Sequence, residues 1–160
     1  MSDASFFIVA NSGAWSRRKL LGLTPTARAM FQAKAAGARK VTIIVPAGRE
    51  DPVPADAPAD VAVEVLRFQD VPDDMGSLVE GLAGGVSGPL LVLDANAVFQ
   101  RDFASKTIVK PGNALFVAGG RQVAAFRTGD GEYALEDAAD RASAIDTSAG
   151  VKAAKQMLYR

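Results

Sequence analysis

The amino-acid sequence predicts an α/β fold, a three-layer α/β/α sandwich on a mainly parallel sheet with a hairpin at one edge. Three observations carry this expectation. Phe6-Phe7-Ile8-Val9 and the run Val41 to Val45 are apolar without polar alternation, as in strands buried on both faces of a sheet. A helix with clear start and stop signals joins them. A third apolar run, Pro89 to Leu93, follows an amphipathic stretch.

The first helix is bounded by chemistry. Thr24 is an N-cap residue, Pro25 stands at the first helical position where its missing N–H costs nothing, and Gly37 suits a left-handed residue just past the end. Strand, helix and strand at this length make a βαβ unit with a right-handed crossover. Pro46 to Asp60, rich in proline, alanine and acid, reads as a surface loop. Val61, Val63 and Val65 alternate with Ala62 and Glu64, and Leu66 and Phe68 follow, giving a third strand nearer the sheet edge. Val71 to Leu82 opens with the acidic turn Pro72-Asp73-Asp74, and Met75, Leu78, Val79 and Leu82 share one helical face. Val98 to Ala104 reads as a short turn or helix anchored by Phe99 and Phe103. Ala114 to Val117 and Val123 to Phe126 flank Gly119-Gly120 as an antiparallel hairpin. Tyr133 to Ala144 reads as a helix with Leu135, Ala138, Ala139 and Ala142 inward. Thr147 or Ser148 caps a last helix, Ala149 to Tyr159, with Val151, Ala154, Met157 and Leu158 on its apolar face.

Composition removes several chemistries. The 160 residues suit one domain, 1–160, and a 49% hydrophobic content supplies an ordinary core. The formal net charge is zero, which argues against a general nucleic-acid binder. With no cysteine and no histidine there is no disulfide, no thiol chemistry, no Ser-His-Asp triad and no imidazole zinc site. A bound metal would be held by oxygen, which favours Mg²⁺. No basic and apolar leader opens the chain, and no run reaches the length of a membrane span, so a cytoplasmic location is expected.

Charge is unevenly distributed. Between Ala4 and Arg49 there is no acid, whereas Glu50 to Glu80 is acidic with Arg67 its one cation. The connection Asn11 to Leu23 exceeds the roughly 2–6 residues usual between strand and helix. It follows the carboxyl end of a strand, where open parallel sheets bind ligands, and it carries Arg17, Arg18 and Lys19. An anion, most simply phosphate, is the matching partner. For Lys34, Arg39 and Lys40 a solvated face is the plainer reading. Asp94-Ala95-Asn96 ends another strand on the same side; Asp94 suits either a ligand site or a simple cap of the segment that follows.

These residues together resemble the opening of the sugar-phosphate nucleotidyltransferases, with their Rossmann-like NTP-transferase fold. The resemblance spans roughly residues 5 to 130. It rests on Phe6 to Ala10 followed by Asn11-Ser12-Gly13, on Leu20 to Arg28 leading into the first helix, on Ala36 to Val45, and on Leu91 to Asn96. It implies that Lys19 and Arg17 act on the nucleotide phosphates and that Asn11, Ser12, Gly13 and Arg18 contact the nucleotide. It further implies that Asp94 and, more weakly, Asn96 ligate Mg²⁺. The acceptor phosphate, already anionic, then attacks the α-phosphorus without a general base.

One departure redirects the functional reading. The family's loop carries several glycines, because phosphates need close backbone approach. Here Gly13 stands alone before Ala14, Trp15 and Ser16. The chain is therefore most similar to the shortened, degenerate domains that precede a membrane-embedded CDP-alcohol phosphotransferase domain. The basic ending Lys152 to Arg160 resembles their run into the membrane part, so the chain is expected to be the N-terminal part of a longer protein. The expected function is a degenerate domain that binds a nucleotide or small phosphorylated ligand, or tethers and regulates such a partner in phospholipid synthesis. The alternatives are an active Mg²⁺-dependent cytidylyltransferase acting on a polyol or sugar phosphate, and an α/β domain for an unrelated phosphorylated ligand.

Overall fold

The computed structural model describes residues 4–10, 22–48, 53–145 and 148–158. Its centre is a mixed seven-stranded sheet in the order β3-β2-β1-β4-β7-β6-β8. Strands β1 (Ser5–Val9), β2 (Lys40–Pro46), β3 (Ala62–Phe68) and β4 (Leu90–Asp94) run parallel, and β7 (Arg121–Arg127) joins β4 antiparallel. The three unbroken apolar runs thus become neighbouring parallel strands in the order β2-β1-β4, as expected. The alternating third strand lies at the edge, where one face meets solvent.

Alternate residues of the central strands feed two separate cores. Phe6, Ile8, Ile43, Leu91 and Leu93 pack with Ala29, Met30 and Ala33 of helix α1 (Pro25–Ala35). Phe7, Val9, Ile44, Leu90 and Val92 pack with Met75, Leu78, Val79 and Leu82 of helix α2 (Met75–Ala83). Period-two side-chain alternation puts these sets on opposite faces of the sheet, which is why the strands read as continuously hydrophobic.

The α1 boundaries follow the sequence signals. The Thr24 hydroxyl oxygen accepts from the Ala27 amide at 3.2 Å and donates to Asp56 at 3.0 Å, and Gly37 has φ +100°, open to glycine at little cost. The Asp56 carboxylate also accepts from the Thr24 amide at 2.8 Å, so the loop after β2 holds the point where the chain enters α1. Gln32, buried in α1, crosses to a distant part of the chain. Its amide donates to the Gln100 carbonyl at 2.6 Å, and its oxygen accepts from the Ala104 amide at 3.1 Å.

The second half departs from expectation in three places. β6 (Ala114–Ala118) and β7 do pair antiparallel around Gly119-Gly120, but the pair lies inside the sheet, and β8 (Ala134–Asp137) takes the edge beside β6. The stretch Tyr133 to Ala144 is not a helix. It forms β8, a turn and β9 (Ala142–Ala144), which pairs with β5 (Ala97–Phe99) in a small second sheet. Alanine, leucine and glutamate favour a helix there, but β6 offers an unpaired edge and Asp137 accepts from the Ala139 amide at 3.0 Å, turning the chain. Leu135, expected inward, is 73% exposed. The stretch after Asn96 is a strand and then the short helix α3 (Phe103–Thr107), with Phe99 and Phe103 rings 4.8 Å apart. The last helix, α4 (Ser148–Leu158), buries Ala154 and Met157 against Val98 and Ile145, with Val151 and Leu158 alongside. None of the helices is long and apolar enough to cross a membrane, among the described residues.

Gln32 supplies a direct test of how α1 is fixed. Gln32→Ala strands a buried amide and carbonyl, so it is expected to cost about 1–3 kcal/mol in urea unfolding. A variant as stable as the parent would mean that water replaces the side chain there.

Candidate functional site

β1, β2 and β3 build the sheet in one direction, and β4 then joins on the other side of β1. The strand order reverses between β1 and β4, and the crevice outside their carboxyl ends is where such sheets take ligands. Val9 and Asp94 are partners in register at that end. Both line a cavity of about 550 Å³ together with Asp73, Asp74, Arg121 and Gln122. A larger cavity, about 860 Å³, runs along the α2 side of β2 and β3 from their amino ends, where Lys40 and Glu64 form an ion pair at 2.6 Å. Its position is opposite to the strand ends that gather the loops, so the smaller cavity is the candidate site.

Asp94 ends β4 and is 5% exposed. A carboxylate that buried persists only if its charge is paired and its lone pairs are used. Asp94 meets both conditions. One oxygen accepts from the Asn96 amide at 2.8 Å, closing the turn after the strand, and the other forms an ion pair with the Arg121 guanidinium. Topology delivers the arginine. Gly119 and Gly120 have φ +63° and +75°, the two left-handed residues that a tight hairpin turn requires. Arg121 is the first residue after them. β7 runs antiparallel to β4, with Leu93 opposite Ala124, so β7 begins where β4 finishes.

The start of α2 forms the facing wall. Asp74 is its N-cap and accepts from the Ser77 amide at 3.0 Å and the Ser77 hydroxyl at 2.8 Å. Gln122 reaches across from β7, and its oxygen accepts from the Met75 amide at 2.7 Å. These first-turn amides are therefore already engaged by side chains. Hydrogen bonds from Ser77, side chain first and then backbone, with a further one from Gln122, hold the Asp74 carboxyl below its usual range.

The sequence-predicted residues fall into two groups. Asn11, Ser12, Gly13, Arg17, Arg18 and Lys19 lie outside the described residues; the chain leaves β1 toward them at Ala10, whose amide donates to Ile44 at 2.8 Å. Asp94 lines the cavity. Asn96 is 3% exposed and is not among the described lining residues. Its backbone carbonyl accepts from Ile145 at 2.8 Å, and its side-chain oxygen is buried without a hydrogen-bond partner.

Mg²⁺ prefers six oxygens in near-octahedral array and is held by one or two carboxylates with waters. At Asp94 one carboxylate oxygen is already paired with a guanidinium and the other accepts from the Asn96 amide. The unpartnered Asn96 oxygen is of the right kind, yet it is sealed from the cavity. No cluster of three acidic side chains suited to a metal exists among the described residues. As arranged, the described side chains do not fit Mg²⁺.

Arg121 and Gln122 were not singled out from the sequence. The glycine pair marked the turn, but only the pairing of β7 with β4 brings the residues after it to Asp94. Lys34 and Lys40, read as a solvated face, are half-exposed and paired with Asp60 at 2.9 Å and Glu64 at 2.6 Å. The acidic stretch thus neutralises part of the basic βαβ unit.

No protein-family model and no curated protein matches the sequence. Solved structures do match. HddC from Yersinia pseudotuberculosis aligns with a TM-score of 0.69 at 10% identity over 99% of this chain and 100% of that one. A second HddC structure, complexed with GMP-PN, matches at 0.65 and 9% over 99% of this chain and 100% of that one. The inositol-1-phosphate CTP transferase from T. maritima matches at 0.68 and 9% over 98% of both chains. The 4-diphosphocytidyl-2C-methyl-D-erythritol synthase from Anaerococcus prevotii matches at 0.64 and 11% over 99% of both. At these identities the likeness is one of fold, and the fold is the NTP-transferase fold.

The Asp74 cap generates a pH prediction. A depressed carboxyl stabilises the fold fully above its unfolded value of about 3.9 and loses that contribution as pH falls through the lower folded value. Asp74→Ala is expected to melt below the parent at neutral pH, with the gap narrowing once pH drops below about 4. A gap of constant size in thermal melts across that range would show that the charge of Asp74 is not what stabilises.

Proposed function

We propose that this chain is a degenerate nucleotidyltransferase-like domain. It binds a nucleotide or small phosphorylated ligand at the carboxyl ends of β1 and β4, and it serves a CDP-alcohol phosphotransferase partner in phospholipid synthesis as a tether or regulator. The observation that carries this reading is the Asp94–Arg121 pair. At the strand end where the fold's ligand site is expected, the carboxylate is committed to an arginine.

Two further features support it. The fold-level likeness to HddC, solved in complex with GMP-PN, and to an inositol-1-phosphate CTP transferase favours a nucleotide or phosphate over an unrelated ligand. The sequence between β1 and α1 keeps one glycine, Gly13, before the cationic triplet Arg17-Arg18-Lys19. Triphosphate binding uses consecutive backbone N–H groups turned toward the ligand, and residues with a Cβ crowd that arrangement. One lost donor against developing charge costs about 2.7–4 kcal/mol, or roughly 10²–10³ in rate. Binding can survive on Lys19 and its neighbours while turnover does not. Cytoplasmic placement beside a membrane-embedded partner belongs to the same proposal.

Two measurements test it together. Calorimetry with CTP, UTP, ATP and GTP is expected to find binding for at least one nucleotide, weakened in Lys19→Ala. Pyrophosphate release with Mg²⁺, each nucleotide and a panel of polyol phosphates is expected to stay at background. Turnover that vanishes in Asp94→Ala would instead establish the active cytidylyltransferase.

A further inference from the structure

We propose that Arg121 stands where a divalent cation would: the Asp94 corner is closed to metal, and it offers an anionic ligand a guanidinium that needs no Mg²⁺. The second half of this inference rests on the ligand class proposed above; the first half does not.

The geometry carries it in three steps. Both Asp94 oxygens are engaged within the protein, one by the Asn96 amide and one by Arg121, and the carboxylate is buried. A metal would have to displace the guanidinium from a pocketed carboxylate and then share the corner with its charge. Arg121, by contrast, is built in. It follows the glycine turn and pairs with Ala118 of β6 at the start of β7, a strand that pairs with β4 from Ala124 onward, so its backbone is anchored to the sheet.

The second step is access. The Arg121 side chain is 32% exposed while that of its partner is 7% exposed, so the pair presents its cationic member to the cavity. Arg121 is the one cation among the described lining residues. A guanidinium is planar, always charged and carries five donors, which suits a phosphate or carboxylate. Asp94 is then a positioning residue: it orients Arg121 and does not meet the ligand's anion itself.

The third step is selectivity. Asp73 and Asp74 also line the cavity and disfavour a bare anion. A ligand that carries hydroxyl donors beside its anionic group, as a nucleotide or polyol phosphate does, satisfies both the arginine and these acids.

The test separates the two halves. Mn²⁺ binding to the purified chain is followed by electron paramagnetic resonance, with no nucleotide present. The parent is expected to show no site that depends on Asp94. Mn²⁺ bound by the parent and released in Asp94→Asn overturns the proposal whatever nucleotides do. In the second arm, CTP binding is measured in EDTA and again with Mg²⁺. Affinity is expected to be similar in both, and Arg121→Gln is expected to weaken it by about tenfold or more. Arg121→Lys keeps the charge and loses the fork, so an intermediate loss in a variant with the parent's circular dichroism distinguishes recognition from misfolding. CTP that binds only with Mg²⁺, or equally well to Arg121→Gln, overturns the guanidinium's role. Absence of binding by every nucleotide counts against the proposed function, and the Mn²⁺ arm still decides whether the corner takes metal.

Discussion

A buried carboxylate at the end of β4 is the constraint on which the candidate site depends. Asp94 sits in the middle of the sheet, with β1 on one side and β7 on the other. Its charge, removed from bulk water, must be matched by a partner supplied by the protein or by a ligand. The match comes from β7, and so the hairpin that delivers β7 is part of the site. A residue with a Cβ at Gly119 or Gly120 would oppose the left-handed backbone both require. The local chemistry of a turn thereby sets the charge of a cavity.

The same end of the sheet gathers everything else that bears on function. The β1–α1 connection leaves from Ala10, the strand order reverses beside it, and α2 begins there with its first amides capped by Asp74 and Gln122. Such a capped terminus offers an incoming anion no spare donors from Met75 or Ser77. Among the described residues, the cation that lines this cavity is the Arg121 side chain. Lys34 and Lys40, on the other hand, answer the acids of β3 and the loop before it.

How much of this was legible in the sequence follows from how local each signal is. The first βαβ unit was readable nearly to the residue, because Thr24, Pro25 and Gly37 act on their own neighbours and the apolar runs state burial outright. Asp94 was readable as the polar end of a buried strand. Its partner was not. Arg121 lies 27 residues away, and the pairing of β7 with β4 is a long-range choice that no short window records. Tyr133 to Ala144 failed for a related reason. Its residues favour a helix by propensity, but the exposed edge of β6 and the need to pair β5 recruit them as strands. Tertiary pairing overrode a weak local preference.

An arginine in place of a divalent ion, as proposed for the Asp94 corner, would change what such a site can do. Mg²⁺ concentrates two charges in a small sphere and can follow charge as it develops on a leaving group, so its stabilisation grows toward a transition state. A guanidinium fixed by a buried carboxylate is a single, spread charge in a set place. Such a charge would hold a resting phosphate about as well as a reacting one, and uniform binding of that kind gives affinity without acceleration. On the proposed reading, recognition is kept while differential stabilisation is lost. In a domain proposed to bind a phosphorylated ligand and to tether or regulate a partner, that is a coherent outcome: a ligand would be held and not consumed.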